Sequence, residues 1–282
     1  MQIGICLSAI NHDRHTRSEA REEILRLQER FKFTSVELIL EGIGRRFAPY
    51  PWEWTEEEFK EVKAFLTHFQ HSGAHLPFFG LNVICVNERV RDDAMEQMRL
   101  AIEVAKRLGL DYAVAHATGT TEGIMTAREP RRQFLAFTRL AGLCKDSGMT
   151  LSIENAQNLH DIGACADMIR SLRNNEGLPV AMTFDTGHAN IPKNSGEAPY
   201  KRFGTVADAL GECKDIINNI HLHNNDGTSD QHRGIMDGSA DLKACIRRLQ
   251  DLNYQGSISL EVRPQTQDLA GEISTLMEWI GA

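Results

Sequence analysis

His221-Leu222-His223-Asn224-Asn225-Asp226-Gly227-Thr228-Ser229-Asp230-Gln231-His232 places three imidazoles and two carboxylates within twelve residues. The stretch before it, Ile216-Ile217-Asn218-Asn219-Ile220, reads as a strand. His221 and His223 are two apart, so on a strand both face the same way. Asp230 and His232 lie just beyond, where Gly and Ser mark a loop. Imidazole and carboxylate gathered at a strand end suit a divalent metal. Any one of these residues alone reads as a solvated turn residue. The group carries weight because other strand ends repeat it.

Working outward, the pattern alternates. Strands are expected over 2–8, 35–40, 73–76, 112–116, 150–154, 180–185, the stretch quoted above and 257–261. Helices are expected over 16–31, from Thr55 onward, and over 87–108, 128–147, 161–172, 205–213, 241–252 and 268–280. Thr55 before Glu56-Glu57-Glu58 is a helix start, with a cap and a carboxylate-rich first turn. Residues 41–54, with Trp52 and Trp54, read as a long loop. Alternating β and α units require a parallel sheet with crossover helices. Eight units in 282 residues, with no linker, predict one (β/α)8 TIM barrel domain over residues 1–282. No Gly-x-Gly-x-x-Gly follows the first strand, so the dinucleotide-binding fold lacks its fingerprint.

A barrel turns scattered residues into one site, because active residues stand at the C-terminal ends of strands. The strand ends give His75, His116, Glu154, Asp185 with His188, His223 with His221 one layer deeper, and Glu261. Each alone has a structural explanation. Six consecutive strand ends carrying ligand-type residues favour a metal site. Glu154, Asp185 and Glu261 packed together would repel one another without a cation or proton among them.

Composition narrows the setting. There is no apolar run long enough to span a membrane, and no signal-peptide pattern precedes the first strand. Six Cys are scattered without Cys-x-x-Cys, which predicts reduced, cytoplasmic thiols. A net charge of −8 argues against a nucleic-acid surface, although a local basic patch is invisible to a sum. Homo-oligomerisation is left open.

The motifs together resemble a known superfamily. They are Ala74-His75-Leu76-Pro77-Phe78, Ala115-His116, Ile153-Glu154-Asn155, Phe184-Asp185-Thr186-Gly187-His188, His221 through Gly227, Asp230-Gln231-His232 and Leu260-Glu261. The chain is similar over nearly its whole length to the xylose isomerase-like barrels. That superfamily includes sugar epimerases, sugar-acid isomerases, dehydratases and endonuclease IV. The resemblance implies one divalent ion held by Glu154, Asp185, His223 and Glu261. Mn, Mg, Co and Zn all suit such mixed oxygen and nitrogen donors. His223 is preferred to His221 as the nearer to the strand end, which leaves His221 at the pocket floor. In the nuclease branch additional residues bind up to three zinc ions. The matching positions here are His75, His116, His188, Asp230 and His232, and all are retained.

The expected activity is isomerisation or epimerisation of a small sugar or sugar derivative. Glu154 and Glu261 are the expected acid and base around a metal-stabilised enediolate. His188 and His116 are expected to hold substrate oxygens, with Trp52, Trp54 and Phe78 as pocket walls. Arg263 offers a guanidinium fork to a substrate carboxylate or phosphate. The alternatives are a zinc abasic-site nuclease and a sugar-type dehydratase on the same site. Glu37, mid-strand, is expected to lie inside the barrel or pair with a base, without a catalytic role. His12, His15, His68, His71 and His160 are expected in solvent.

Overall fold

Each strand of the barrel supplies apolar residues to the helices outside and polar residues to the lumen. The computed structural model describes residues 1–10, 15–41, 48–116, 130–155, 162–191, 203–263 and 268–281. His12, His160 and the expected helix starts at Arg128 and Asp161 lie outside the described residues, as does part of the loop between Glu41 and Trp54.

Eight parallel strands close into a barrel in sequence order. They are β1 (Gln2–Cys6), β2 (Ser35–Ile39), β3 (His71–His75), β4 (Tyr112–His116), β5 (Thr150–Glu154), β6 (Val180–Asp185), β7 (Ile217–Leu222) and β8 (Ser257–Leu260). Closure is by β1 on β8, with Ile3 opposite Ile258. The outer helices are α1 (Arg17–Phe31), α2 (Glu56–Leu66), α3 (Glu88–Leu108), α4 (Pro130–Asp146), α5 (Ile162–Asn175), α7 (Val206–Glu212), α8 (Leu242–Asp251) and α9 (Leu269–Ile280).

The helix α6 (Thr186–Asn190) was not expected. It starts where β6 ends, because the Asp185 side chain accepts a hydrogen bond from the His188 backbone N–H and caps it. Asp-Thr-Gly-His is therefore a strand end and a helix start in one motif. Thr55 caps α2 as expected, with Glu58 returning the hydrogen bond in a capping box. Such a cap stabilises by about 1 kcal/mol.

The outward strand residues, among them Val36, Leu38, Ala113, Leu151, Phe184, Ile220 and Leu260, are buried against the helices. The lumen holds Glu37, Ser152, Thr183, Asn219, Ser257 and Ser259, all fully buried. They satisfy one another: Ser152 Oγ lies 2.6 Å from Thr183 Oγ1, and Asn219 Oδ1 accepts from Ser257 and Ser259. A barrel filled this way is held by hydrogen bonds at its centre and by apolar packing at its wall. No helix among the described residues is long and apolar enough to cross a membrane. Among the described residues none of the six cysteines forms a disulfide, and five of them are buried.

Candidate metal centre

The strand ends deliver their side chains to one end of the barrel. The register sets Asp185 beside His221, and His221 beside Ser259, across β6, β7 and β8. His221 Nδ1 lies 3.1 Å from Glu261 Oε2, 3.6 Å from Glu154 Oε2 and 3.8 Å from Asp185 Oδ2. The expected ligand, His223, lies in a different donor set, with His232 and Glu261. His221 is thus the residue whose Nδ1 lies near all three carboxylates, while His223 sits just past the strand end at Leu222. His223 Nε2 instead meets Asp185 Oδ2 at 3.0 Å and lies 4.0 Å from Asp230 Oδ1. Its ring stacks on His232 with centroids 4.0 Å apart.

Around Glu154 a second group forms. His75 Nε2 lies 3.1 Å from His116 Nε2 and 3.3 Å from Glu154 Oε2. His75 Nδ1 donates to the Leu76 carbonyl, 2.8 Å away, so Nε2 is the nitrogen left to face its neighbours and the one that could ligate a cation. His188 Nδ1 is 2.9 Å from Glu154 Oε1, and its Nε2 is 3.4 Å from Asp230 Oδ2. His232 repeats the device of His75. Its Nδ1 donates to the Glu261 carbonyl at 2.7 Å and its Nε2 points to Asp230 Oδ2 at 3.0 Å. His232 adopts a left-handed backbone, φ 47°, to turn its ring inward.

Among the described residues, three sets of donor atoms converge closely enough to share an ion: His75, His116 and Glu154; Glu154, Asp185 and His221; His223, His232 and Glu261. Donors in each set lie within 4.8 Å of one another. The buried Nδ1 atoms of His188, His221 and His223 and Oδ1 of Asp230 have no hydrogen-bond partner among the described residues. His188 and His221 come within ion-pair distance of carboxylates without the alignment of a hydrogen bond. Of these, His221 Nδ1 and His188 Nδ1 face carboxylates, an arrangement that suits a cation. Buried carboxylates and imidazoles are the donor types of divalent transition ions.

Charge balance points the same way. Burial opposes ionisation of Glu261, but His221 and His232 outweigh it and bring its pKa down to about 2. Glu154 is likewise held well below the usual range against burial, chiefly by His116 and His221. Burial disfavours charge on His232 too, yet Glu261 and Asp230 raise it to about 9. His116 differs: burial beside His75 and His188 outweighs the pull of Glu154 and lowers it to about 4. The carboxylates therefore draw positive charge, which protonated imidazoles supply when no cation does.

The supporting residues were harder to foresee. Asn155 Nδ2 donates to the Asp185 carbonyl at 2.9 Å and its Oδ1 accepts from the Asp185 N–H at 2.7 Å, so β5 clamps the end of β6. Thr186 Oγ1 donates to the carbonyls of His221 and His223. A Cβ on Gly187 would overlap the His223 ring, so the glycine of Asp-Thr-Gly-His makes room for that imidazole. Phe78 packs its ring on His75 and His116, with centroids 4.9 and 4.6 Å away. Trp52 is instead 55 % exposed and stacks on Tyr50, and Trp54 packs on Phe59. Arg263, exposed, donates to the Asp230 carbonyl and braces the loop that carries Asp230 and His232. His71 is not solvated as expected: its Nδ1 pairs with Asp111 at 2.8 Å.

The sequence profile described as xylose isomerase-like TIM barrel matches residues 25–281. The chain belongs to the xylose isomerase-like TIM barrel family. The uncharacterized protein MJ1311 of Methanocaldococcus jannaschii is 27 % identical over 191 residues, which is 66 % of this chain. The match spans 62 % of that relative's length. Among solved structures, a D-tagatose 3-epimerase-like protein superposes with TM-score 0.78 at 22 % identity, covering 100 % of this chain and 97 % of that one. The IolI protein with a bound zinc atom superposes with TM-score 0.73 at 14 % identity, covering 100 % and 98 %. At these identities the likeness concerns the xylose isomerase-like fold.

Proposed function

We propose that the protein is a divalent-metal-dependent isomerase or epimerase of a small sugar or sugar derivative. The observation that carries this reading is the set Glu154, Asp185, His221 and Glu261, whose buried donors face one another from four consecutive strands. These four residues would hold the ion. A divalent ion bound there supplies a Lewis acid that acidifies a C–H next to a carbonyl and steadies the resulting negative charge.

The chain's own residues do the rest. Glu154 and Glu261 stand on β5 and just past β8, three strands apart around the barrel. One takes a proton from the substrate carbon and the other returns one to the opposite face or the neighbouring carbon. His188, held between Glu154 and Asp230, and His116 bind substrate oxygens. Phe78 presents its ring to the apolar face of the sugar and limits water. Expulsion of a β-hydroxyl after the same proton abstraction is the dehydratase variant. Relatives in fold that are titled as sugar epimerases, such as an L-ribulose 3-epimerase, agree with this class of substrate.

A second reading rests on a separate observation: His75 and His116 meet around Glu154, and His188 and His232 both face Asp230. Such added donors suit a multinuclear zinc site for phosphodiester hydrolysis, as in an abasic-site nuclease. One experiment separates the two. Protein loaded with Mn or Zn is incubated with ketoses, sugar acids and inososes in deuterated water, and in parallel with an abasic DNA duplex. Deuterium entering a sugar carbon, without DNA cleavage, is the result expected. Chelator-sensitive DNA cleavage without exchange reverses the order of the two readings.

A further inference from the structure

Behind His221 the barrel lumen is organised around one carboxylate, Glu37. It is fully buried on β2, and its only ion-pair partner among the described residues is His221. Both of its oxygens are filled. Oε1 accepts from His221 Nε2 at 2.9 Å and faces Cys6 Sγ at 3.7 Å. Oε2 accepts from Asn219 Nδ2 at 2.9 Å and Tyr112 Oη at 3.1 Å.

The donors are themselves fixed. Asn219 Oδ1 is occupied by Ser257 and Ser259, so its amide can only turn NH2 toward Glu37. Tyr112 reaches Glu37 from β4 across Gly73 of β3. Glu37, Gly73 and Tyr112 lie at one level in the register, and a Cβ on Gly73 would overlap the phenol ring. Four strands thus hold one acceptor against one edge of the His221 ring.

A carboxylate so surrounded is an acceptor for His221, which makes Nε2 the proton-bearing nitrogen. Nδ1 is then the nitrogen turned toward Glu154, Asp185 and Glu261, and the one that offers a lone pair once a metal binds. His223 has no such backing: its Nδ1 is unpartnered among the described residues. We infer that Glu37 is a positioning residue that fixes which nitrogen of His221 binds the metal, with Nε2–H held by Glu37 and Nδ1 as the ligand. The inference rests on the metal site proposed above. Acceptors behind a ligating imidazole commonly govern affinity by about 10- to 100-fold.

Zinc is the probe. Its dissociation constant is measured by chelator competition for wild type, Glu37→Leu and Glu37→Gln, with circular dichroism as a check on folding. Nitrogen-15 NMR of zinc-loaded, histidine-labelled wild type identifies the bound nitrogen, with His221→Ala for assignment. The expected results are Nδ1 ligation with a retained Nε2–H, and zinc binding about 10- to 100-fold weaker in Glu37→Leu. Glu37→Gln, which keeps an oxygen to face Nε2, should recover most of that loss. Ligation through Nε2, or folded Glu37→Leu binding zinc within about twofold of wild type, overturns the inference. If Glu37→Leu does not fold, the wild-type spectrum decides alone. Failure of wild type to bind zinc at all removes the metal site and this inference together, whereas normal binding unaffected by Glu37 removes only the latter.

Discussion

Glu154 Oε2 lies 3.3 Å from His75 Nε2, which joins the inner set of Glu154, Asp185 and His221 to the outer pair of His75 and His116. One carboxylate therefore serves two neighbouring donor sets. Glu154→Gln should empty both, whereas His75→Ala should leave the inner site filled. Elemental analysis after dialysis against zinc checks this. Equal metal loss in the two variants contradicts the shared role.

Gly187 and His223 occupy one space between them. Gly187→Ala should destabilise the protein by about 1–3 kcal/mol, the range for an overpacked core. Adding His223→Ala should relieve much of that cost, giving a clear coupling in a double-mutant cycle. Additive losses in urea unfolding contradict the packing account.

Phe78, whose ring packs on His75 and His116, is the aromatic we propose as a pocket wall. Phe78→Ala should raise KM by about tenfold with a smaller change in kcat, because the ring contributes binding area. Trp52→Ala, at an exposed ring stacked on Tyr50, should leave both within about twofold. Steady-state kinetics on the substrate found by deuterium exchange give the comparison.

Zinc bound at the proposed site would have to displace protons. Despite burial, Glu261 and Asp230 raise His232 to about 9, and carboxylates raise His188 and His221 well above the usual imidazole value. A raised imidazole keeps its proton at neutral pH and has to release it before it ligates. Zinc affinity should therefore increase as pH rises toward about 9, with release of about one proton or more near pH 7.5. In the metal-free protein, the stabilising contribution of His232 is fully present below its unfolded pKa and is lost as pH rises through about 9. Calorimetry in buffers of different ionisation enthalpy measures the release. No release and a flat affinity contradict the charge balance described here.

Much of this site was legible in the sequence because strand ends in a closed barrel must share one face. Glu154, Asp185 and Glu261 needed only a count of strands. His221 against His223 was not decided that way. Both have the right parity, and only the side-chain distances show that His221 Nδ1 lies near Glu154, Asp185 and Glu261. Glu37 read as an ordinary lumen residue, since its meaning depends on Tyr112, Asn219 and His221 from other strands. Trp52 and Trp54 looked like pocket walls because loop aromatics often are; their rings find partners in Tyr50 and Phe59 instead. The helix α6 was hidden in five residues, too short for periodicity, and follows from the cap by Asp185.

The metal itself is the most direct test. Protein purified without chelator is analysed for Mn, Mg, Co and Zn, and thermal unfolding is followed with and without each ion. The account predicts at least about one equivalent of a divalent ion in wild type, a melting temperature raised by that ion, and loss of both effects in Asp185→Asn. Less than about a tenth of an equivalent, with no ion raising the melting temperature, would contradict it.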